Sequence, residues 1–374
     1  MRPPLNLAVL WMMKLDGSDL LTGGLERYCR DLALLAADRG YDVTVYQKAQ
    51  RAFEVELTDH VKVVGVPCSL RFRGNWELSA WLDRNTDTNA PFVFVSEEIA
   101  LSKKIKRAAG VNCCVWWDGD FPWWKRWANK RLQYKLLTKL RGVICCDNSY
   151  INWCHAELPN RAQWDHKLYY IPNYADLDVF KPAPSPARTD DCLTILFPRR
   201  LPAEPLERHG KGAGLLLKAA QVLEKRSVRT RLLFVGRGEL KGPIKEWAVE
   251  NNMSDRVEVF EAPMDGMPAV YARADVVVVP SIEHEATALS ALEGMLSGKP
   301  TVVSHIGGLG NIVIDGLNGH VCDLSPESLA DAIQTAVKTQ CVQKPGMLEA
   351  CRESLGKPRW ERKVWSALQH CLAL

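Results

Sequence analysis

Residues 274–321 read ADVVVVPSIEHEATALSALEGMLSGKPTVVSHIGGLGNIVIDGLNGHV. Val276 to Val279 is a short unbroken apolar run closed by Pro280 and Ser281, as suits a strand buried on both faces of a parallel sheet. Leu289, Leu292, Met295 and Leu296 then recur at helical spacing, and Gly298 followed by Pro300 supplies a stop. Thr301 to Ser304 begins the next strand, so the unit is β-loop-α-β. In such units ligands bind beyond the carboxyl ends of the strands, where the unpaired N–H groups of the helix start attract phosphate. Glu285 lies in the loop and Glu293 inside the helix. Carboxylates accept hydrogen bonds from hydroxyls, so a helix start flanked by two of them suits a phosphate joined to sugars. The alternative is a loop acid favouring the helix dipole and an acid on the helix surface.

The rest of the chain supplies context for that unit. A length of 374 residues exceeds what one hydrophobic core serves, so two domains are expected. With 48 Lys and Arg against 44 Asp and Glu, the net charge of +4 does not argue for nucleic acid. Cys113, Cys114, Cys145 and Cys146 fall in apolar strand-like runs and read as buried hydrophobes in a reducing cytosol, and there is no CxxC pair for zinc. Leu5 to Trp11 is too short to span a membrane and reads as a first strand. Further strands are expected at Tyr41–Tyr46, Val61–Val66, Phe92–Val95, Val111–Trp117, Val143–Cys146, Leu193–Phe197, Arg231–Val235 and Val257–Phe260.

Together these residues resemble the retaining glycosyltransferases of family 4, which have the GT-B fold. The donor-binding signature of that family matches Pro280, Ser281, Glu285, Glu293, Met295, Gly298, Pro300, Ser304, Gly307, Gly308, Asp315, Gly316 and Gly319. Gly23-Gly24-Leu25-Glu26-Arg27 resembles its first glycine pair, and residues 171–182 resemble the segment that ends its first domain. The resemblance implies an α/β protein with two Rossmann-like domains facing across a cleft. Residues 1–181 would form the acceptor-side domain and 182–191 a Pro-rich linker. Residues 192–352 would form the nucleotide-sugar donor domain, and 353–374 a helix crossing back to the first domain. It implies a retaining, metal-independent transfer with no cofactor. Arg200 and Lys211 would stabilise the leaving diphosphate, with Arg199 or Lys218 as substitutes, because cations must offset that charge when no metal does. Glu285 would hold donor-sugar hydroxyls and Glu293 the ribose. Backbone at Gly24, Gly236, Thr287, Ala288 and Leu289 would approach the phosphates or base. The leaving phosphate would itself take the acceptor proton.

The chain departs from the family in two places. Ala286-Thr287-Ala288 replaces a Gly-Phe-Gly pattern, and Trp117 with Asp118 stands where a His is usual. An apolar indole in place of His points to a donor lacking the terminal hydroxyl, such as a 6-deoxyhexose or a pentose. Asp118 reads either as a polar contact to donor or acceptor or as a turn residue. The other reading of Asp118-Gly119-Asp120, as the acidic metal motif of the second glycosyltransferase fold, would leave the basic set redundant.

Seven basic residues and no acid occupy residues 125–141, beside Trp123, Trp124 and Trp127. If helical, Arg131, Lys135 and Lys139 stack at steps of four next to Leu132, Leu136 and Leu140. One reading is an interfacial element contacting an anionic membrane; the other is a core helix with a solvated basic face. The first places the protein in the cytoplasm, peripheral on the cytoplasmic face of the inner membrane. Together with the resemblance, it implies as partners a nucleotide sugar and a glycan or lipid-linked acceptor of bacterial lipopolysaccharide or other surface polysaccharide biosynthesis. From a different class, a GT-B pseudoenzyme would use the same segment to bind a partner or membrane.

Overall fold

The computed structural model describes residues 2–21, 23–112, 122–184, 190–283 and 285–374. They form two α/β units, one of residues 1–171 with 361–374 and the other of residues 172–360.

The first unit runs β1 (Pro4–Val9), α1 (Gly24–Asp38), β2 (Asp42–Ala49), β3 (Phe53–Thr58), β4 (Val61–Pro67), α2 (Arg73–Asn85), β5 (Phe92–Val95), β6 (Ala108–Asn112), α3 (Trp123–Lys139), β7 (Gly142–Cys145), α4 (Asn148–Glu157) and β8 (Leu168–Tyr170). Its eight-stranded sheet has the order β3-β4-β2-β1-β5-β6-β7-β8. Every pairing is parallel except the β3–β4 hairpin at the edge. Central strands such as Phe92–Val95 are buried throughout, because helices cover both faces of a parallel sheet.

The second unit comprises β9 (Leu193–Phe197), α5 (Ala213–Lys225), β10 (Thr230–Val235), α6 (Lys241–Glu250), β11 (Val257–Phe260), α7 (Met267–Arg273), β12 (Val276–Val279), α8 (Leu289–Leu296), β13 (Thr301–Ser304), β14 (His320–Cys322), α9 (Pro326–Thr339) and α10 (Met347–Leu355), and leads into α11 (Lys357–Leu372). Its parallel sheet has the order β11-β10-β9-β12-β13-β14. Chain order reverses between β9 and β12, and such a switch point opens a crevice for ligands.

The division between the units falls at Ile171, not at Lys181. Backbone bonds explain the difference. The Ala175 amide donates to the Leu355 carbonyl at 3.2 Å, and the Lys357 amide donates to Ala175 at 3.1 Å. Arg352 donates to the carbonyls of Leu177 and Phe180, fastening this stretch to the second unit. Residues 361–374 join the first unit, where Arg107 Nη2 donates to the Leu372 carbonyl at 2.7 Å and Trp365 meets Tyr41 edge-on. Part of the 182–191 segment, residues 185–189, lies outside the described residues. The strand expected at Val111–Trp117 begins at Ala108; from Cys113 onward, with Trp117 and Asp118, it too lies outside them.

Among the described cysteines none is in a disulfide. No helix among the described residues is long and apolar enough to cross a membrane.

Candidate functional site

Beyond the carboxyl ends of β9 and β12 the second unit gathers a half-buried ion cluster. Arg199 leaves the end of β9 and forms an ion pair with Glu285, in the loop after β12, while its Nη1 donates to Ser290 Oγ at 3.0 Å. Lys211, one residue before the Gly212 cap of α5, donates to the same Glu285 oxygen at 2.8 Å, and Ser281 Oγ donates to it at 3.1 Å. All three contacts, from Arg199, Lys211 and Ser281, converge on Oε2. Burial alone would raise the Glu285 pKa, but the Arg199 and Lys211 charges outweigh it and hold the carboxyl below its ordinary value.

Glycines set this cluster in place. Gly212 takes φ +83°, and a β-carbon there would meet the Pro280 carbonyl oxygen at 1.8 Å. At Gly307, with φ +56°, a β-carbon would meet the Glu285 carbonyl oxygen at 1.9 Å, and that carbonyl accepts from the Gly308 amide at 2.8 Å. The Gly210 carbonyl takes the amides of Ile282 and Glu283. The lysine loop and the glutamate loop are thus bonded backbone to backbone, which fixes where their side chains meet.

The other candidates divide. Glu293 is buried in α8 and accepts from Tyr271 Oη at 2.9 Å, and that hydroxyl also donates to the Ser290 carbonyl. Thr287 is buried with its carbonyl accepting from Asn173 Nδ2 at 3.0 Å. Ala288 caps α8 and Leu289 opens it; the Ala291 amide donates to the Ala288 carbonyl at 3.1 Å, while those of Leu289 and Ser290 lack intrahelical acceptors. Gly24 opens α1 in the first unit and is exposed.

Arg200 is exposed, and the ion cluster is built on Arg199, the substitute that the resemblance allows. Adjacent residues of an extended segment point to opposite sides, so only one of the two can face Glu285. Gly236 lies at a tight backbone approach. Its amide donates to the Phe260 carbonyl at 3.0 Å, and a β-carbon there would meet the Arg199 carbonyl oxygen at 1.9 Å. Its role is to let the arginine segment pack against the β10 turn.

The basic helix splits in two. Trp123, Trp124 and Trp127 are 80%, 53% and 56% exposed, and residues 122–128 are exposed without a break. Arg131 lies over the Trp127 ring at 4.7 Å, and it and Lys135 are exposed. Lys139 does not share that face. Its ammonium donates to the carbonyls of Ala100 and Ser102, and burial lowers its pKa. Leu136, Leu137 and Leu140 fill the core beside it.

Sequence reasoning passed over Tyr271, Ser290 and His209. His209 is fully buried and its Nδ1 accepts from the Ala213 amide at the start of α5, so it braces the helix that follows Lys211.

Residues 196–353 match the family described as Glycosyl transferases group 1. An uncharacterized glycosyltransferase of Methanocaldococcus jannaschii is 29% identical over 155 residues, 41% of this chain and 42% of that protein. A GDP-mannose-dependent alpha-(1-6)-phosphatidylinositol monomannoside mannosyltransferase of Mycolicibacterium smegmatis is 29% identical over 46% of each chain. The chain therefore spans under half the length of these curated relatives. Solved structures align over the whole chain. Sucrose-phosphate synthase from Thermosynechococcus elongatus superposes with a TM-score of 0.76 at 17% identity, covering 100% of both chains. Anabaena HepE in complex with UDP and glucose gives 0.74 at 18%, covering 98% of this chain and 99% of that one. WaaG, a glycosyltransferase involved in lipopolysaccharide biosynthesis, gives 0.68 at 16% with the same coverage. The chain has the GT-B fold, and residues 196–353 of its second unit match the glycosyl transferases group 1 family.

Proposed function

We propose that this protein transfers a sugar from a nucleotide-sugar donor to a glycan or lipid-linked acceptor, with retention at the anomeric carbon and without a metal. The observation that carries the reading is the pair of cations, Arg199 and Lys211, held on Glu285 at the β9–β12 switch point beside the start of α8. As the glycosidic bond breaks, the departing nucleoside diphosphate gains negative charge. Two pre-positioned cations and the first amides of α8 offset it without reorganising. Glu285 Oε1 has no hydrogen bond among the described residues, so it is available to a sugar hydroxyl while Oε2 keeps the cations in place. Glu293, held by Tyr271, would take the ribose. The leaving phosphate would accept the acceptor proton, so the chain supplies no general base.

Likeness to WaaG supports a role in lipopolysaccharide or other surface polysaccharide synthesis. The exposed tryptophans and cations opening α3 support a peripheral position on an anionic cytoplasmic membrane face.

The test is a thermal-shift screen of UDP, GDP and their sugars, followed by product analysis of the anomeric configuration. A ligand at a hundred times its dissociation constant adds about 2.7 kcal/mol of stability. Stabilisation by a nucleotide that disappears in Arg199→Ala and Lys211→Ala is expected. No stabilisation by any nucleotide, or transfer abolished by EDTA and restored by magnesium or manganese, would overturn the reading.

A further inference from the structure

Arg199 and Lys211 reach Glu285 from two different segments, and His209 is packed between those segments. Its ring sits 6.3 Å from that of Phe197, the last residue of β9 and two places before Arg199. On the α5 side its Nδ1 accepts from the Ala213 amide at 3.2 Å, two places after Lys211. The His209 carbonyl also accepts from the Gly212 amide at 2.7 Å. Lys211 is therefore carried on a turn, residues 209–213, that one histidine closes twice.

That closure requires one protonation state. Ala213 is fully buried, and its amide opens α5, where no preceding turn offers it a carbonyl. Nδ1 can accept this bond only while it carries no proton. An imidazolium has an N–H at both nitrogens, so two donors would face each other across the turn. A buried amide stripped of its acceptor is costly, and the turn relieves that cost by opening to water.

The surroundings favour the neutral ring. Burial, the largest influence, lowers the His209 pKa; Glu204 and the Arg200 backbone oppose it, and the Lys211 and Arg199 charges add to it. Glu204 is itself engaged, accepting from the Gly210 amide at 2.9 Å, and the Glu283 carboxylate lies against Gly210.

We propose that His209 is a positioning residue of the donor site: its neutral imidazole keeps Lys211 on Glu285, and a proton on Nδ1 releases the Lys211 turn and weakens the hold on a nucleoside diphosphate. The proposal rests on the transfer reading above and adds to it a residue that touches neither donor nor acceptor.

The test uses the full chain, with UDP and GDP as probes titrated by calorimetry from pH 4.5 to pH 7.5. His209→Ala should weaken binding at pH 7.5 about tenfold, the worth of one capping bond. His209→Asn should restore most of it, because Asn Oδ1 stands one bond from Cγ, as Nδ1 does, and accepts an amide in the same way. Asn has no proton to titrate. As the pH falls, the wild-type dissociation constant should therefore rise faster than that of His209→Asn, by up to about tenfold per pH unit. Protonation of the nucleotide phosphate is common to both proteins and cancels in the ratio. A second measurement needs no variant: hydrogen exchange at the His209 ring carbon and at the amides of residues 209–217, read by mass spectrometry. Amide exchange, corrected for its intrinsic pH dependence, should increase as His209 takes up its proton. A ratio of dissociation constants that stays constant with pH, or amides that stay protected while His209 titrates, would overturn the proposal. Binding of neither nucleotide by the wild type at pH 7.5 would sink the transfer reading, and the exchange result would then uphold or overturn the hold of His209 on the turn by itself.

Discussion

Lys211 Nζ and Glu285 Oε2 meet at 2.8 Å although 74 residues separate them, and Arg199 approaches the same oxygen from the end of β9. A single carboxylate therefore aims two cations at the place where a diphosphate would leave. Arg199→Ala should lower turnover by two to three orders of magnitude, since one such donor contributes about 3 to 4 kcal/mol to the barrier. Arg200→Ala, at an exposed position, should change it far less. Steady-state kinetics on the two variants decides between the neighbours; an equal loss in both would mean that Arg200 reaches the donor as well.

Conformation at Gly212 makes a second expectation. Alanine there would be strained at φ +83° and would drive its methyl into the Pro280 carbonyl, so Gly212→Ala should separate the lysine and glutamate loops. Gly40 has a similar φ of +93° but open space around it, so Gly40→Ala should cost only the left-handed conformation, about 1 to 2 kcal/mol. Denaturant midpoints and nucleotide thermal shifts of the pair provide the comparison. A Gly212→Ala protein with Gly40→Ala-like stability and normal nucleotide binding would show that the loops tolerate the methyl group.

For α3 the expectation differs between its two ends. Arg131→Glu with Lys135→Glu should reduce sedimentation with vesicles containing anionic lipid, since each basic residue near such a surface contributes about 1 kcal/mol. Raising the salt should do the same. Lys139→Glu should instead lower the melting temperature, because its ammonium serves the Ala100 and Ser102 carbonyls. Vesicle binding that survives the double change would return the whole helix to a structural role.

Much of the second unit was legible because its strands are short, mainly apolar runs bounded by turn residues: Leu193–Phe197, Val257–Phe260, Val276–Val279 and Thr301–Ser304 lie where the sequence puts them. β3 was not, since the alternating FEVELT is exposed at every second residue and lies on a sheet edge. α2 escaped notice because it buries Gly74, Asn75 and Ser79 as well as Leu78 and Leu82, so its inner face carries no clear apolar row. Spacing could name Glu285 and Lys211 but could not choose between Arg199 and Arg200. That choice depends on which way the chain turns after Phe197, and the turn is fixed by Gly236 and Gly238 on a different loop. The three-residue register of Lys139 failed for a similar reason: helical stacking predicts a shared face, but carbonyls on a neighbouring segment drew one member inward.

The last prediction concerns Glu97, just beyond β5 and after Ser96, whose φ is +74°. Glu97 is 2% exposed, and its carboxyl accepts from Asn112 Nδ2 at 2.9 Å. Burial raises its pKa from 4.5 to about 8, and the Asn112 bond offsets only part of that. At pH 6 the folded protein therefore holds a proton there that the unfolded chain has released. Between about pH 4.5 and 8 the folded state binds more protons at this residue, so its contribution to stability falls as pH rises across that window and levels off above it. Glu97→Gln keeps an Oε1 acceptor for Asn112 but cannot ionise. Melting temperatures measured from pH 5 to pH 8 should fall more steeply in the wild type than in Glu97→Gln, with the gap widening toward pH 8. Parallel curves would show that the Glu97 carboxyl titrates near the same pH in both states, and hence that water reaches it in the folded protein.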